Sequence, residues 1–281
     1  MVYPTIGVIM SVYKNDTLSA FQRAIHSLVS QDYPFDKIRV YLGIDGPVPA
    51  DIDNYITNNR RLFYKIVRSS VNVGLGRTLN RLIESLSDEM FVFRMDADDV
   101  SLNARFRKQV EYMLAHPHID ILGTALTEVD ETGVEQGVRY YPRDETTIKV
   151  YVAKACPLAH PTVCFRKSVF EKVSGYPEYM RYSQDIALWF VALARGARIA
   201  NLSDPLYQLT VSKDFFRRRG ATKALVECGI YIRGIWNLHG LTFRYVYPIA
   251  RLVVRFMPLR AVQLIYSSRA RSLFLNATPS R

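Results

Sequence analysis

Residues 91–99 read Phe91-Val92-Phe93-Arg94-Met95-Asp96-Ala97-Asp98-Asp99, an apolar run that ends in three carboxylates within four positions. A short apolar run closed by a turn is the mark of a buried strand. Asp96 and Asp98 at its carboxyl end offer hard oxygen ligands to a divalent cation, which in turn can hold a diphosphate. Taken alone, an Asp-x-Asp is as readily a solvated acidic turn, so the surrounding chain has to decide between the two.

Upstream, Ile6 to Val12 reads as a buried strand, followed by Leu18, Phe21, Ile25 and Leu28 at helical spacing, with Asp16 or Thr17 placed as the cap. Ile38 to Ile44 is a second strand ending at Asp45-Gly46-Pro47, and Phe63 to Val67 a third. Leu75, Leu79, Leu82, Ile83 and Leu86 form the apolar face of the helix that leads to the acidic strand. Alternating strands and helices predict an α/β fold with a mostly parallel central sheet flanked by helices, whose ligands gather at the carboxyl ends of the strands. Ser11, Val12, Tyr13, Asp45 and Asp96 are therefore expected on one rim. Downstream, Phe106, Val110, Met113 and Leu114 mark a helix, Ile119 to Leu126 and Thr162 to Phe165 two strands, and Ile186 to Ala194 an apolar helix opened by Gln184-Asp185. Gly74-Leu75-Gly76 is no dinucleotide fingerprint, because Leu79 stands where the third glycine belongs.

With 281 residues and 49% hydrophobic content the chain can bury a real core. Cys156, Cys164 and Cys228 have no metal-ligand spacing and read as small buried hydrophobes of a reduced, cytoplasmic protein. The start, Met1-Val2-Tyr3-Pro4, enters a strand directly and carries no signal-peptide pattern. The formal charge of +11 is confined to residues 216–281, where twelve Lys and Arg face Glu227 alone, while residues 1–215 are neutral. A neutral body argues against nucleic-acid binding, and a basic appendage argues for an anionic surface as partner. The expected organisation is a catalytic domain over 1–215 and a basic helical tail over 216–281.

The ordered set Ile9-Met10-Ser11-Val12-Tyr13-Lys14-Asn15, Asp45, Asn72-Val73-Gly74 with Asn80, Met95-Asp96-Ala97-Asp98-Asp99, Arg105 and Gln109, Ala159-His160-Pro161-Thr162, Gly175-Tyr176 and Gln184-Asp185-Ile186-Ala187-Leu188-Trp189 resembles the family 2 glycosyltransferases. Among these it is similar to the bacterial enzymes that build O-antigen, capsule and exopolysaccharide. The resemblance covers roughly residues 4–212. It implies a GT-A fold, Rossmann-like, with a nucleotide-sugar donor of UDP type, a divalent metal and single-displacement transfer with inversion. Carried onto this chain, it implies that Ser11, Val12 and Tyr13 cradle the nucleobase and that Asp45 accepts hydrogen bonds from base or ribose. Asn72 and Arg77 add polar contacts, though an Asn-x-Gly turn and a plain helix arginine fit those two equally well. By the same resemblance Asp98, with Asp96 beside it, holds Mn2+ or Mg2+ against the diphosphate. Asp185 is the candidate base, which on its own would read as a helix cap; the family has a Glu before it where this chain has Gln184. His160, Gln184 and Trp189 are candidate acceptor contacts.

In the tail, Tyr245 to Met257 places Arg251 and Arg255 four apart with Arg244 on the same face, and fills the rest with apolar and aromatic side chains. Such a helix lies in a membrane interface, or else packs on the body. No apolar stretch there reaches the ~20 residues of a spanning helix. The whole describes an enzyme peripherally bound to the cytoplasmic face of the membrane, acting on a lipid-diphosphate-linked saccharide. Two other readings stand beside it. Asp96-Ala97-Asp98-Asp99-Val100 also satisfies the motif of a haloacid-dehalogenase-like phosphatase, with Asp96 as nucleophile, and a membrane-surface adaptor would use the basic tail alone.

Overall fold

A computed structural model describes residues 3–180, 182–211 and 221–256. Its first half is three successive crossover units. β1 (Ile6–Val12) leads through α1 (Leu18–Val29) to β2 (Ile38–Asp45), then α2 (Ala50–Asn58), β3 (Lys65–Ser69), α3 (Leu75–Glu84) and β4 (Phe91–Asp96). Thr17 is the cap of α1, its hydroxyl accepting the Ala20 N–H at 3.4 Å. In the sheet these strands run β3-β2-β1-β4, all parallel. Apolar side chains on both faces of β1 and β4 suit strands covered by helices on either side.

The second half is mixed. It comprises β5 (Val100–Ser101), α4 (Arg105–Ala115), β6 (Ile121–Val129), β7 (Glu135–Arg139), α5 (Glu145–Tyr151), β8 (Cys164–Arg166), α6 (Val169–Val173), α7 (Gln184–Ala194) and β9 (Ile199–Thr210). β8 inserts between β4 and β6, antiparallel to both, because a tight turn at His160–Thr162 delivers the chain to the carboxyl end of β4. β9 runs parallel to β6, with β5 antiparallel on its far side, so the parallel pairing expected of the sheet holds for β1 to β4 and for β6 with β9. The register slips beside Pro205, a residue that cannot donate to the ladder.

The sheet separates two cores. Phe21, Ile52, Phe106 and Val110 from α1, α2 and α4 fill one side. Leu79, Ile148, Phe170 and Trp189 from α3, α5, α6 and α7 fill the other, and Ile230, Tyr231 and Ile235 of α8 (Ala221–His239) join it. Gly234 makes that docking possible, since a Cβ there would lie 2.2 Å from the Phe190 ring. α9 (Val246–Phe256) then packs along α8. The boundary expected at 215–216, and the part of the tail beyond residue 256, lie outside the described residues. Among the described residues no helix is long and apolar enough to cross a membrane.

Candidate functional site

The register of the parallel strands sets the rim. Ser11 of β1 is level with Asp96 of β4 and Gly43 of β2, and Asp45 follows two residues on. The expected gathering of Ser11, Tyr13, Asp45 and Asp96 at one edge is therefore met. Val12 is a correction in part: its side chain is wholly buried in the core, so only its main chain reaches the rim. The Tyr13 N–H donates to the Asp16 carboxylate at 2.8 Å. Burial pushes Asp16 up to about 7, against that hydrogen bond, with the charges of Asp98 and Asp96 adding to the rise.

Asp45 is buried, and its oxygens accept the Val73 N–H at 2.7 Å, the Gly74 N–H at 3.0 Å and the Asn72 amide at 3.0 Å. It thus ties the loop 72–74 to the end of β2 and places Asn72. Gly46 makes the turn beneath that loop at φ +83°, where a Cβ would lie 2.7 Å from the Asn72 nitrogen. Arg77 of α3 pairs with Glu178 at 3.4 Å, and Asn80 holds the same segment through Tyr176 and Glu178. Arg77 is in this way engaged by the segment leading to Asp185.

Asp96, Asp98 and Asp99 can each bring an oxygen within 4.8 Å of the others. Asp99 is buried, and Oδ2 of its carboxylate has no hydrogen-bond partner; burial, with Asp96 and Asp98 adding, raises its pKa well above the ordinary range. Three carboxylates without sulfur or imidazole form a donor set for a hard dication. The turn is latched by β9: Thr210 donates its N–H to Asp99 at 2.8 Å and its hydroxyl to the Asp98 carbonyl at 2.9 Å, while the Tyr207 hydroxyl accepts the Asp96 N–H at 3.2 Å.

Asp185 stands in the first turn of α7. It is not the cap, because the helix starts after Ser183, which has a left-handed backbone at φ 57°. Burial raises the Asp185 pKa, opposed by the Ile186 N–H and by Arg94. Gln184 is half-buried against Gly76 of α3. His160 bonds the Tyr176 hydroxyl at 2.8 Å, and burial together with Arg94 keeps its imidazole neutral. Trp189 is another correction. It is wholly buried, packed on Phe165 and His160, and gives no surface to an acceptor.

Residues 7–174 match the family profile of Glycosyl transferase family 2. The chain belongs to that family. It is 30% identical to the amylovoran biosynthesis glycosyltransferase AmsE of Erwinia amylovora over 92% of this chain and 97% of the relative. It is 28% identical to a UDP-Gal:alpha-D-GlcNAc-diphosphoundecaprenol beta-1,3-galactosyltransferase of Escherichia coli, over 80% of each chain. The mannosyltransferase PcManGT of Pyrobaculum calidifontis, solved with GDP-Man and Mn2+, superposes with a TM-score of 0.65 at 17% identity, over 97% of this chain and 81% of that one. The fold is GT-A, and the protein is a glycosyltransferase similar to enzymes of bacterial surface polysaccharide synthesis. Family membership displaces the phosphatase and adaptor readings, and β4 is the fourth strand of its sheet where the phosphatase motif would open the fold.

Arg94 and Tyr207 escaped the sequence reading as site residues. A charged residue in an otherwise apolar strand was the available signal for Arg94. Tyr207 gave none, since β9 was not read as a strand. The Asp45 anchor is directly measurable. Asp45→Ala strips three hydrogen bonds from residues 72–74 and should cost about 2 kcal/mol in denaturant unfolding. It should also speed amide exchange at Val73 and Gly74, and unchanged exchange there would mean that the loop holds itself.

Proposed function

We propose that this glycosyltransferase moves a single sugar from a UDP-sugar to a lipid-diphosphate-linked saccharide, with inversion at the anomeric carbon, at the cytoplasmic face of the membrane. The observation that carries the reading is the pairing of an acidic turn at the end of β4 with a half-buried carboxylate of raised pKa, Asp185, at the start of α7. Asp96, Asp98 and Asp99 would hold Mn2+ or Mg2+, which when bound neutralises charge building on the departing diphosphate. Ser11, Tyr13, Asp45 and the loop at Asn72 receive the nucleoside at the neighbouring strand ends. Asp185 removes the proton from the attacking acceptor hydroxyl. Its elevated pKa makes its ionised form a better base than an ordinary carboxylate. A single displacement needs only one base on the acceptor side, so Gln184, neither charged nor nucleophilic, is compatible with it. The UDP preference and the lipid-linked acceptor are supported by the named reaction of the Escherichia coli relative.

The membrane part of the reading has a revised physical basis. Arg251, one of the three arginines expected to meet lipid, turns inward: it pairs with Glu227 at 3.0 Å, donates to the Lys154 carbonyl and stacks over Tyr231 at 4.5 Å. The exposed surface of α8, α9 and the link between them is instead apolar, with Trp236, Leu241, Phe243, Ile249 and Val253 all more than half exposed. Such a surface inserts at the acyl boundary, and the basic excess of residues 216–281 adds about 1 kcal/mol per engaged residue at an anionic leaflet.

Three measurements test the proposal. Among a panel of nucleotide sugars, a UDP-sugar with Mn2+ should release free nucleotide, and Asp98→Ala should lower turnover by about two or more orders of magnitude with the fold intact. Full activity of that variant in chelator would remove the cation. Asp185→Asn keeps size and loses basicity, so donor binding should persist while transfer is lost. In the unaltered enzyme, transfer should rise with pH through a pKa above the ordinary carboxylate range, since only the ionised form accepts the proton; near-normal transfer by the Asn variant would end the base assignment. Vesicles with anionic lipid should bind the full chain better than neutral ones, with salt weakening the binding. Indifference to lipid charge, or no binding to either, would place the acceptor elsewhere.

A further inference from the structure

Strand alternation along β4 sends Phe91, Phe93 and Met95 to one core and Val92 to the other, and Arg94 and Asp96 share the face of Val92. Arg94 is therefore a charged side chain planted in an apolar layer, 3% exposed. Its Nη2 donates to Asp96 Oδ1, while Nε and Nη1 are buried without a partner. Burial disfavours its charge, but Asp96 more than offsets this and keeps the guanidinium firmly protonated. Taking such a group out of water costs several kcal/mol, and leaving two of its donors unmatched adds to that cost. On its own face of the strand the neighbours are Val92 and Asp96, and its charge also reaches Asp185 and His160. A buried charge retained at such cost in a binding site calls for an account.

Its surroundings supply one. The main chain of Arg94 is fixed on both sides: its N–H donates to the Val163 carbonyl at 3.0 Å, and its carbonyl accepts from Arg105 at 2.9 Å. The side chain then engages one oxygen of Asp96. That contact restrains a carboxylate belonging to a cluster in which Asp96, Asp98 and Asp99 can each bring an oxygen within 4.8 Å of the others. Without a cation, the same guanidinium offsets the repulsion among these carboxylates. We propose that Arg94 is a positioning residue that orients Asp96 as a cation ligand and keeps the acidic turn assembled before the cation arrives. The inference rests on the reading of Asp96 and Asp98 as cation ligands.

The test is Mn2+ binding to the full-length protein, followed by the electron paramagnetic resonance signal of the free ion and by calorimetry, with no donor present. Arg94→Met keeps length and packing but removes both charge and donor. Loss of an outer partner of a ligating carboxylate typically weakens a metal by about 10–100-fold, and that is the expected effect at unchanged secondary structure. Arg94→Lys keeps the buried charge without the planar fork, so it should fold and bind with an affinity between the other two. It decides the matter should the Met variant fail to fold. If the unaltered protein binds Mn2+ and both variants bind it equally well, Arg94 has no such role. Tighter binding in either variant would make Arg94 a competitor of the cation and would equally overturn the proposal. No Mn2+ binding by the unaltered protein would overturn the cation reading itself, and this inference with it.

Discussion

Three carboxylates crowded into four positions repel one another, and the structure balances them from inside the protein. Two fully buried arginines lie beneath the turn. Arg94 holds Asp96, and Arg105 binds the carbonyls of Arg94 and Pro161 and the side chain of Gln109, with its guanidinium over the Tyr207 ring at 5.0 Å. Burial brings Arg105 down to about 10, still charged at neutral pH. Gln109 in turn donates to the Leu122 and Thr162 carbonyls, so β6 and the turn before β8 are fixed to the same cluster. Where the acidic turn sits, and how the second half of the sheet joins the first, are thus a single electrostatic solution.

The site is assembled from two kinds of scaffold. Parallel strands deliver Ser11, Asp45 and Asp96 to one edge, because every crossover returns the chain in the same direction. The opposite wall comes from antiparallel pieces. The turn before β8 brings His160, and the segment clamped by Asn80 brings Tyr176 and then Asp185. The two walls carry different electrostatics: the strand ends are crowded with carboxylates, while the α7 side holds a neutral imidazole and one carboxylate with a raised pKa. That division suits a reaction in which charge leaves on one side and a proton is taken on the other.

The helices after residue 220 belong to the same body up to α8, whose Tyr231 lies edge-on to Phe190 of α7 at 5.6 Å. α8 buries Ile230, Tyr231 and Ile235 as a surface helix should, yet the pair also turns Arg251 inward and leaves Trp236, Ile249 and Val253 outward. An inward arginine satisfied by Glu227 and an aromatic ring has no need of a lipid headgroup. The outward apolar face has no partner among the described residues.

Much of this was legible in the residues alone. Strand and helix periods gave β1 to β4 and the helices between them, because buried parallel strands are continuous apolar runs and their helices have one apolar face. The rim, with Asp45 and Asp96 on it, followed from the direction of the strands. Other features required the tertiary structure, for one physical reason: they are contacts between residues far apart in sequence. β9, interrupted at Asp204-Pro205, has no clear period, yet its Tyr207 and Thr210 latch the acidic turn more than a hundred residues away. Trp189 was a candidate through the resemblance of the stretch 184–189, but one helical turn beyond Asp185 it lies in the core. Arg251 looked like a membrane stripe until Glu227 and Tyr231 met it across the helix pair. Sequence determined which chemical groups this protein carries to the ends of its strands; only the folded structure decided which of them face a ligand and which face one another, because burial and pairing depend on neighbours that no local pattern contains.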